Sequence, residues 1–454
     1  MPARLIESLA TTEPLADLFS DQSVLQAMLD FEAALVRAEA RASIIPESAA
    51  KAIRNAAKAD GFDTATLVSE TLRAGTPGIP LVKALTDRVR VKNADAARYV
   101  HWGATSQDVA DTALVLLLKR AQPILTADLV RLERALKKIS QEHKDTVMLG
   151  RTLMQPAPPV TLGLKAAAWF ASVRRSKSDL DGAFAETLVV QFGGASGTLA
   201  SLGRKGIEVA DALANELKLE CPDGPWHTQR DRLAALMCAC GVLTGTLGKI
   251  ARDISLLMQG EVNEAAEPGG DGRGGSSTMP HKGNPIGCSL ALAAGQRVPG
   301  LVASFLSGMV QEHERGVGGW QAEWPTVAAV IQATGLAAAS MAEVAEGLKV
   351  DAAQMRSNIE ATYGAIFAER ATMLLGSKLG RDVAHKILQE ATKKSSKQKR
   401  HLSEVLAEIP EAATHLDRAT LRRLETPEEY LGSAEAFRKA LLSSKPLKIK
   451  KKEQ

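Results

Sequence analysis

Leu125, Leu129, Leu132, Leu136 and Ile139 recur at alternating four- and three-residue steps, with Arg131, Glu133, Arg134, Lys137 and Lys138 between them. A period near 3.5 puts the apolar set on one stripe of a helix and the charges on its other faces, and such a seam needs neighbouring helices to bury it. The feature points to a helical bundle. Other segments extend the pattern. Asp21 reads as an N-cap before Val24, Met28, Phe31 and Leu35, a helix that ends before Pro46. Residues 233–258 and 288–310 are helical in length and apolar content. Aromatics are only 4% of the chain while Ala and Leu abound, a bias toward residues that lose little entropy in a helix. The strand signal is confined to residues 188–192, before Gly193 and Gly194. The fold class is therefore all-α.

At 454 residues the chain is long enough for two or three domains, and 45% hydrophobic with 24% charged residues is a globular balance. The net charge is +4, and Lys445, Lys448, Lys450, Lys451 and Lys452 concentrate at the end as a solvated tail. No basic stripe with interleaved aromatics occurs, so no nucleic-acid partner is expected. The four cysteines, Cys221, Cys238, Cys240 and Cys288, form no C-x-x-C pair and read as reduced core thiols, with no metal site. Residues 1–19 carry Glu7, Glu13 and Asp17 and lack an apolar signal core, and no unbroken run of about 18 apolar residues appears. The expectation is a cytoplasmic protein with no membrane partner.

The most informative segment is G-S-S-T-M-P-H-K-G-N-P, residues 275–285, which follows a stretch where five of seven residues (269–275) are glycine and precedes a long apolar helix. It resembles the signature of the fumarase/aspartase superfamily, G-S-S-x-M-P-x-K-x-N-P. Two further segments agree, in the same order along the chain. H-W-G-A-T-S-Q-D (101–108) is similar to the family's H-x-G-x-T-S-x-D region, and G-R-T-L-M-Q-P-A (150–157) to its G-R-T-H-x-Q-x-A region. G-G-A-S-G-T (193–198) resembles a short family loop near the active site. Taken without the resemblance, Thr105-Ser106 is an N-cap, Thr152 and Gln155 are turn residues before a helix, and His101 is a core or capping histidine.

The resemblance implies that Ser276 is the catalytic base and that Ser277 is a loop or substrate hydrogen-bond partner. A serine removes a carbon-bound proton only where cations or dipoles stabilise its alkoxide. A loop of backbone N–H groups at a helix entrance, with Lys282 beside it, would supply that field. Loss of a proton α to a carboxylate leaves a dianionic aci-carboxylate, and Lys282 and Asn284 are suited to hold its charge. His101, Thr105, Ser106, Thr152, Gln155 and Arg315 are the remaining candidate substrate contacts. For Arg315 the alternative is an ion pair with Glu312 or Glu314. The glycines ahead of the motif would let the loop move over substrate.

One position departs from the family pattern. Leu153, followed by Met154, stands where G-R-T-H-x-Q carries a histidine that assists nitrogen leaving groups. A carboxylate, whose acid has a pKa of about 4, leaves without such help. The departure favours a cycloisomerase that opens and closes a lactone, and residues 311–325 (Q-E-H-E-R-G-V-G-G-W-Q-A-E-W-P) are similar to the 3-carboxymuconate cycloisomerase branch. Adenylosuccinate lyase or a related elimination lyase is the rival; a non-catalytic structural member is another. The resemblance further implies three helical domains (1–105, 106–350 with the catalytic loop, 351–454) and a homotetramer with a twenty-helix core. Active sites would be shared between subunits, the substrate a small tricarboxylate, and no cofactor required.

Overall fold

Eighteen α-helices and four short strands make up the described part of the chain, residues 5–270, 274–275, 278–279 and 282–443 of the computed structural model. The leucine seam is as its spacing predicts: Leu125, Leu129, Leu132, Leu136 and Ile139 are buried along one helix, Ser106–Glu142. The helix at Asp21–Arg41 also forms, but its cap is Ser20, whose side chain accepts from the Ser23 N–H; Asp21 is the first helical residue, where its charge favours the N-terminal dipole. Residues 188–192 do not form a strand. Only a single bridge joins Val189 to Glu220, because no continuous partner edge lies beside it.

The chain divides into two compact units, each built of three separate segments: Met1–Val130, Arg175–Lys249 and Leu290–Ser340 in the first, Arg131–Arg174, Ile250–Ser289 and Met341–Gln454 in the second. The boundaries fall inside the helices Ser106–Glu142, Leu162–Thr187, Asp231–Leu257, Ile286–Ser307 and Gly319–Glu346. In the first unit, helix Asp21–Arg41 packs on Glu47–Ala56 and Gly206–Leu217, and buries Leu25, Met28, Leu29, Phe31 and Leu35. Leu15 is wholly buried against the Gly319–Glu346 helix at Gly335, where an added Cβ would lie 2.1 Å from its Cδ1.

The second unit holds a β-hairpin, Val147–Thr152 with Gln155–Thr161, that the sequence does not announce, since Pro156, Pro158 and Pro159 weaken a strand reading. Gly150 makes the pairing possible at a register shift: a Cβ there would sit 2.2 Å from the Pro158 carbonyl oxygen. Val147 and Leu149 point into an apolar cluster with Phe367, Leu375, Leu388, Leu402 and Leu406 of the small C-terminal helices. Arg438 joins this unit together by donating to the Ser140 carbonyl while pairing with Glu435.

Candidate active site

The described candidate residues are divided between the units: His101, Thr105, Ser106 and Arg315 belong to the first, Thr152, Gln155, Lys282 and Asn284 to the second. Ser276 and Ser277 lie outside the described residues, as does part of the glycine-rich stretch before them.

In the first unit the hub is Asp108, wholly buried two residues into the Ser106–Glu142 helix. Its carboxylate accepts from the N–H groups of Thr105 (3.0 Å), Gly193 (3.0 Å) and Gly194 (2.9 Å), and Nε2 of His227 lies 2.7 Å away. A carboxylate with this many donors is well solvated by protein and holds the loops that supply them. Thus the T-S loop and the start of the G-G-A-S-G-T loop are fixed to one another by a single side chain. Gly103, at φ +73, fits because a Cβ would meet the Leu202 side chain at 2.8 Å. Thr105-Ser106 does open a helix, and the Thr105 N–H donates to the Asp108 carboxylate three residues on.

Arg315 pairs with neither Glu312 nor Glu314. It donates to Gln107 Oε1 (3.1 Å) and to the carbonyls of Gly194 (3.3 Å) and Ala195 (2.8 Å), and among the described residues no carboxylate neutralises it. A half-buried guanidinium held only by neutral acceptors is a ready anion contact. Behind it, Gln107 donates to Asp111, and Asp111 and Glu323 clamp Arg230 in the core (closest contacts 2.8 Å to Asp111 and 2.5 Å to Glu323). Burial works against the Arg230 cation, but Asp111 and then Glu323 more than offset it and hold its pKa above the ordinary value. Trp226 stacks under the guanidinium at 4.7 Å, and Trp320 Nε1–H donates to Asp111 at 2.9 Å. Neither this network nor His227 carries a local sequence signal, because Asp108 and His227, and Asp111 and Arg230, each meet across 119 residues of sequence.

In the second unit, Thr152 and Gln155 are the last paired residues of the hairpin, and Leu153-Met154 form its two-residue turn. Both turn residues have positive φ (50° and 65°), the type I′ conformation that Asn-Gly would adopt without strain. Leu153 is 96% and Met154 67% exposed in the single chain. Arg151, beside Thr152, makes a fork of hydrogen bonds to buried Glu264 (3.0 and 2.6 Å), which Asn358 also contacts at 2.7 Å. Three residues on, the buried Glu267 accepts from the N–H groups of Gly287 (2.9 Å) and Cys288 (2.8 Å). At the entrance of the Ile286–Ser307 helix these two N–H groups are thus taken by Glu267. The described part of the loop is closed by the Asn284 N–H bonded to the Gly274 carbonyl at 2.9 Å, and Gly274, at φ +69, has no room for a Cβ against Asn284. Lys282 is exposed and its own N–H bonds the Met279 carbonyl at 3.0 Å.

The cysteines are only half as expected: Cys240 and Cys288 are core thiols, with burial pushing Cys240 up to about 12, but Cys221 and Cys238 are exposed.

A helical chain with this loop, hairpin and T-S-x-D helix start defines a class, and comparison with known families agrees. Residues 8–300 match the model described as lyase, and residues 364–441 the adenylosuccinate lyase C-terminus. The chain belongs to the lyase family of the fumarase/aspartase superfamily. It is 48% identical to the 3-carboxy-cis,cis-muconate cycloisomerase of Bradyrhizobium diazoefficiens over 93% of this chain and 94% of that one. It is 45% identical to the enzyme of the same name from Pseudomonas aeruginosa over 96% and 95%. The crystal structure of 3-carboxy-cis,cis-muconate lactonizing enzyme from Pseudomonas putida superposes with a TM-score of 0.91 at 44% identity, covering 97% of this chain and 98% of that one.

Proposed function

We propose that the chain is a 3-carboxy-cis,cis-muconate cycloisomerase, interconverting that tricarboxylate and 4-carboxymuconolactone in the protocatechuate branch of the β-ketoadipate pathway. The observation that carries this reading, beside the relatives, is the residue at the hairpin tip: Leu153, an apolar side chain incapable of acid catalysis, where a nitrogen-expelling lyase uses histidine.

In the lactone-forming direction a substrate carboxylate oxygen adds to one carbon of the double bond. The electron pair moves to the neighbouring carbon and into its carboxylate, making the aci-carboxylate. Ser276 then delivers its hydroxyl proton to that carbon, and takes it back in the reverse reaction. Lys282 and Asn284 hold the developing charge, a donor of this kind being worth about 3 kcal/mol in the transition state. His101, Thr105, Ser106, Thr152, Gln155, Ser277 and Arg315 hold carboxylates. No metal or cofactor enters these steps. Replacing Ser276 by Ala is expected to abolish turnover while leaving the urea midpoint in place; an active variant would remove Ser276 from the base role.

We further infer a cytoplasmic homotetramer of the family's three-domain chains (1–105, 106–350, 351–454). Three helices, Asp231–Leu257, Ile286–Ser307 and Gly319–Glu346, are long and apolar enough to cross a membrane, with mean hydropathy of 1.6, 1.2 and 1.5. Yet 72% of the most apolar 18-residue stretch of the last is already buried within the protein, and the exposed stripe of the first is small residues at helical spacing: Ala235, Cys238, Val242 and Gly245. Such a stripe fits close packing against helices of other copies.

The test is ultraviolet absorbance of EDTA-treated protein mixed separately with 3-carboxy-cis,cis-muconate and with adenylosuccinate. Loss of the diene band with the first alone is expected. Turnover of the second alone would move the enzyme to purine synthesis.

A further inference from the structure

Helix Asp21–Arg41 buries two carboxyl side chains on one face, Glu32 and Glu39, two turns apart and both wholly inaccessible. A buried carboxyl group is costly unless it is neutral or paired, so each needs an account. Glu39 is neutral: neither oxygen has a partner, and burial, followed by the charge of Glu32, pushes its carboxyl up to about 9. Glu32 directs one oxygen, 2.6 Å away, at Nδ1 of His101.

His101 lies in the loop that leads to Thr105, at φ +58, a conformation disfavoured for a residue with a Cβ and retained where the surroundings impose it. Its side chain is 13% exposed, and Nε2 has no partner among the described residues. Burial favours the neutral ring, but the charge and hydrogen bond of Glu32, with Asp108 behind, overcome it and raise the imidazole pKa above its ordinary value. An apolar residue would fill the core at position 32 without desolvating a charge; what Glu32 adds is control of this ring.

We propose that Glu32 and His101 form a carboxylate–histidine dyad, in which Glu32 fixes the ring through Nδ1–H and His101 presents Nε2–H to a substrate carboxylate oxygen beside Thr105. Glu32 is thus a positioning residue and His101 the catalytic one. As electrons move from the double bond into the aci-carboxylate, the Nε2–H donor meets the growing charge. No proton leaves His101, so Ser276 remains the proton carrier. The inference rests on the cycloisomerase reading for its substrate, but not for the state of the histidine.

Full-length wild type, Glu32→Gln, Glu32→Asp and Glu39→Gln are compared in two ways. The first is acylation of His101 by diethyl pyrocarbonate, which attacks only the neutral imidazole, followed by peptide mass spectrometry. The second is kcat and KM for 3-carboxy-cis,cis-muconate between roughly pH 6 and pH 9, a window that brackets the ordinary histidine pKa of about 6.5. At neutral pH, His101 of wild type and Glu39→Gln resists acylation, and Glu32→Gln raises its rate about tenfold or more. The kcat of Glu32→Gln falls by about 10² at the alkaline end, the size expected for one misplaced donor, and recovers partly as pH falls. Glu32→Asp lies between, and serves alone if Glu32→Gln does not fold. Wild-type His101 acylating like an ordinary histidine, or a kcat loss equal at every pH with unchanged acylation, would overturn the dyad. Wild type inactive on the muconate while the acylation contrast persists would instead refute the cycloisomerase reading and leave the dyad in place.

Discussion

Glu39 sits with both oxygens unpartnered in the core, and its cost has a definite pH dependence. The folded carboxyl titrates at about 9 against 4.5 in an ordinary environment. The unfolded chain therefore releases this proton first. Stability is full below the unfolded value and declines as pH rises from there toward the folded one, at about 1.4 kcal/mol per pH unit. Between the ordinary value of 4.5 and neutrality that amounts to about 3 kcal/mol. Glu39→Gln is expected to raise the urea midpoint at pH 7 and to flatten its fall on the alkaline side, with little change at acid pH. Measuring the midpoint at three pH values checks this. At the residue scale the sequence displays chemistry only where motifs are contiguous. Lys282 and Asn284 are legible because they stand two apart in one loop, whereas Glu32, Glu264 and Glu267 acquire their roles from partners that folding brings across the chain.

The hairpin poses the question of why a strained turn is built from bulky residues. Leu153 and Met154 each occupy the left-handed region, which costs a residue with a Cβ roughly 1–2 kcal/mol. Replacing the pair by Asn-Gly is expected to stabilise the protein by about 1–3 kcal/mol through relief of that strain, while lowering turnover of the muconate, since apolar strain of this kind is retained for use. Denaturation and kinetics on the same preparation read both effects; stabilisation with unchanged kcat would make the turn a neutral feature. Helices such as Ser106–Glu142 were legible from local spacing alone, because a helix satisfies its own backbone and needs only a stripe. The hairpin was not, because its prolines and the bulge at Gly150 disguise alternation, and pairing across the strands is what stabilises it.

For the whole molecule the sharpest expectation concerns assembly. Gly245 lies on the exposed stripe of the Asp231–Leu257 helix, and an added Cβ there meets nothing within 4 Å in the single chain. Gly245→Arg should leave the chain's own packing intact yet split the proposed tetramer, read as a lower mass by light scattering. Activity should fall with it, because sites shared between subunits would be incomplete.

The division of each unit into three separated segments has a consequence for synthesis. Unit 1 lacks its last segment until Ser340 has left the ribosome, and unit 2 draws on Met341–Gln454. At roughly 5–20 residues per second, that leaves the earlier apolar helices waiting tens of seconds for their packing partners. Unit 1 has all its segments once Ser340 emerges, whereas unit 2 is complete only with the last stretch of the chain, so the early segments of unit 2 wait longest with apolar surface uncovered.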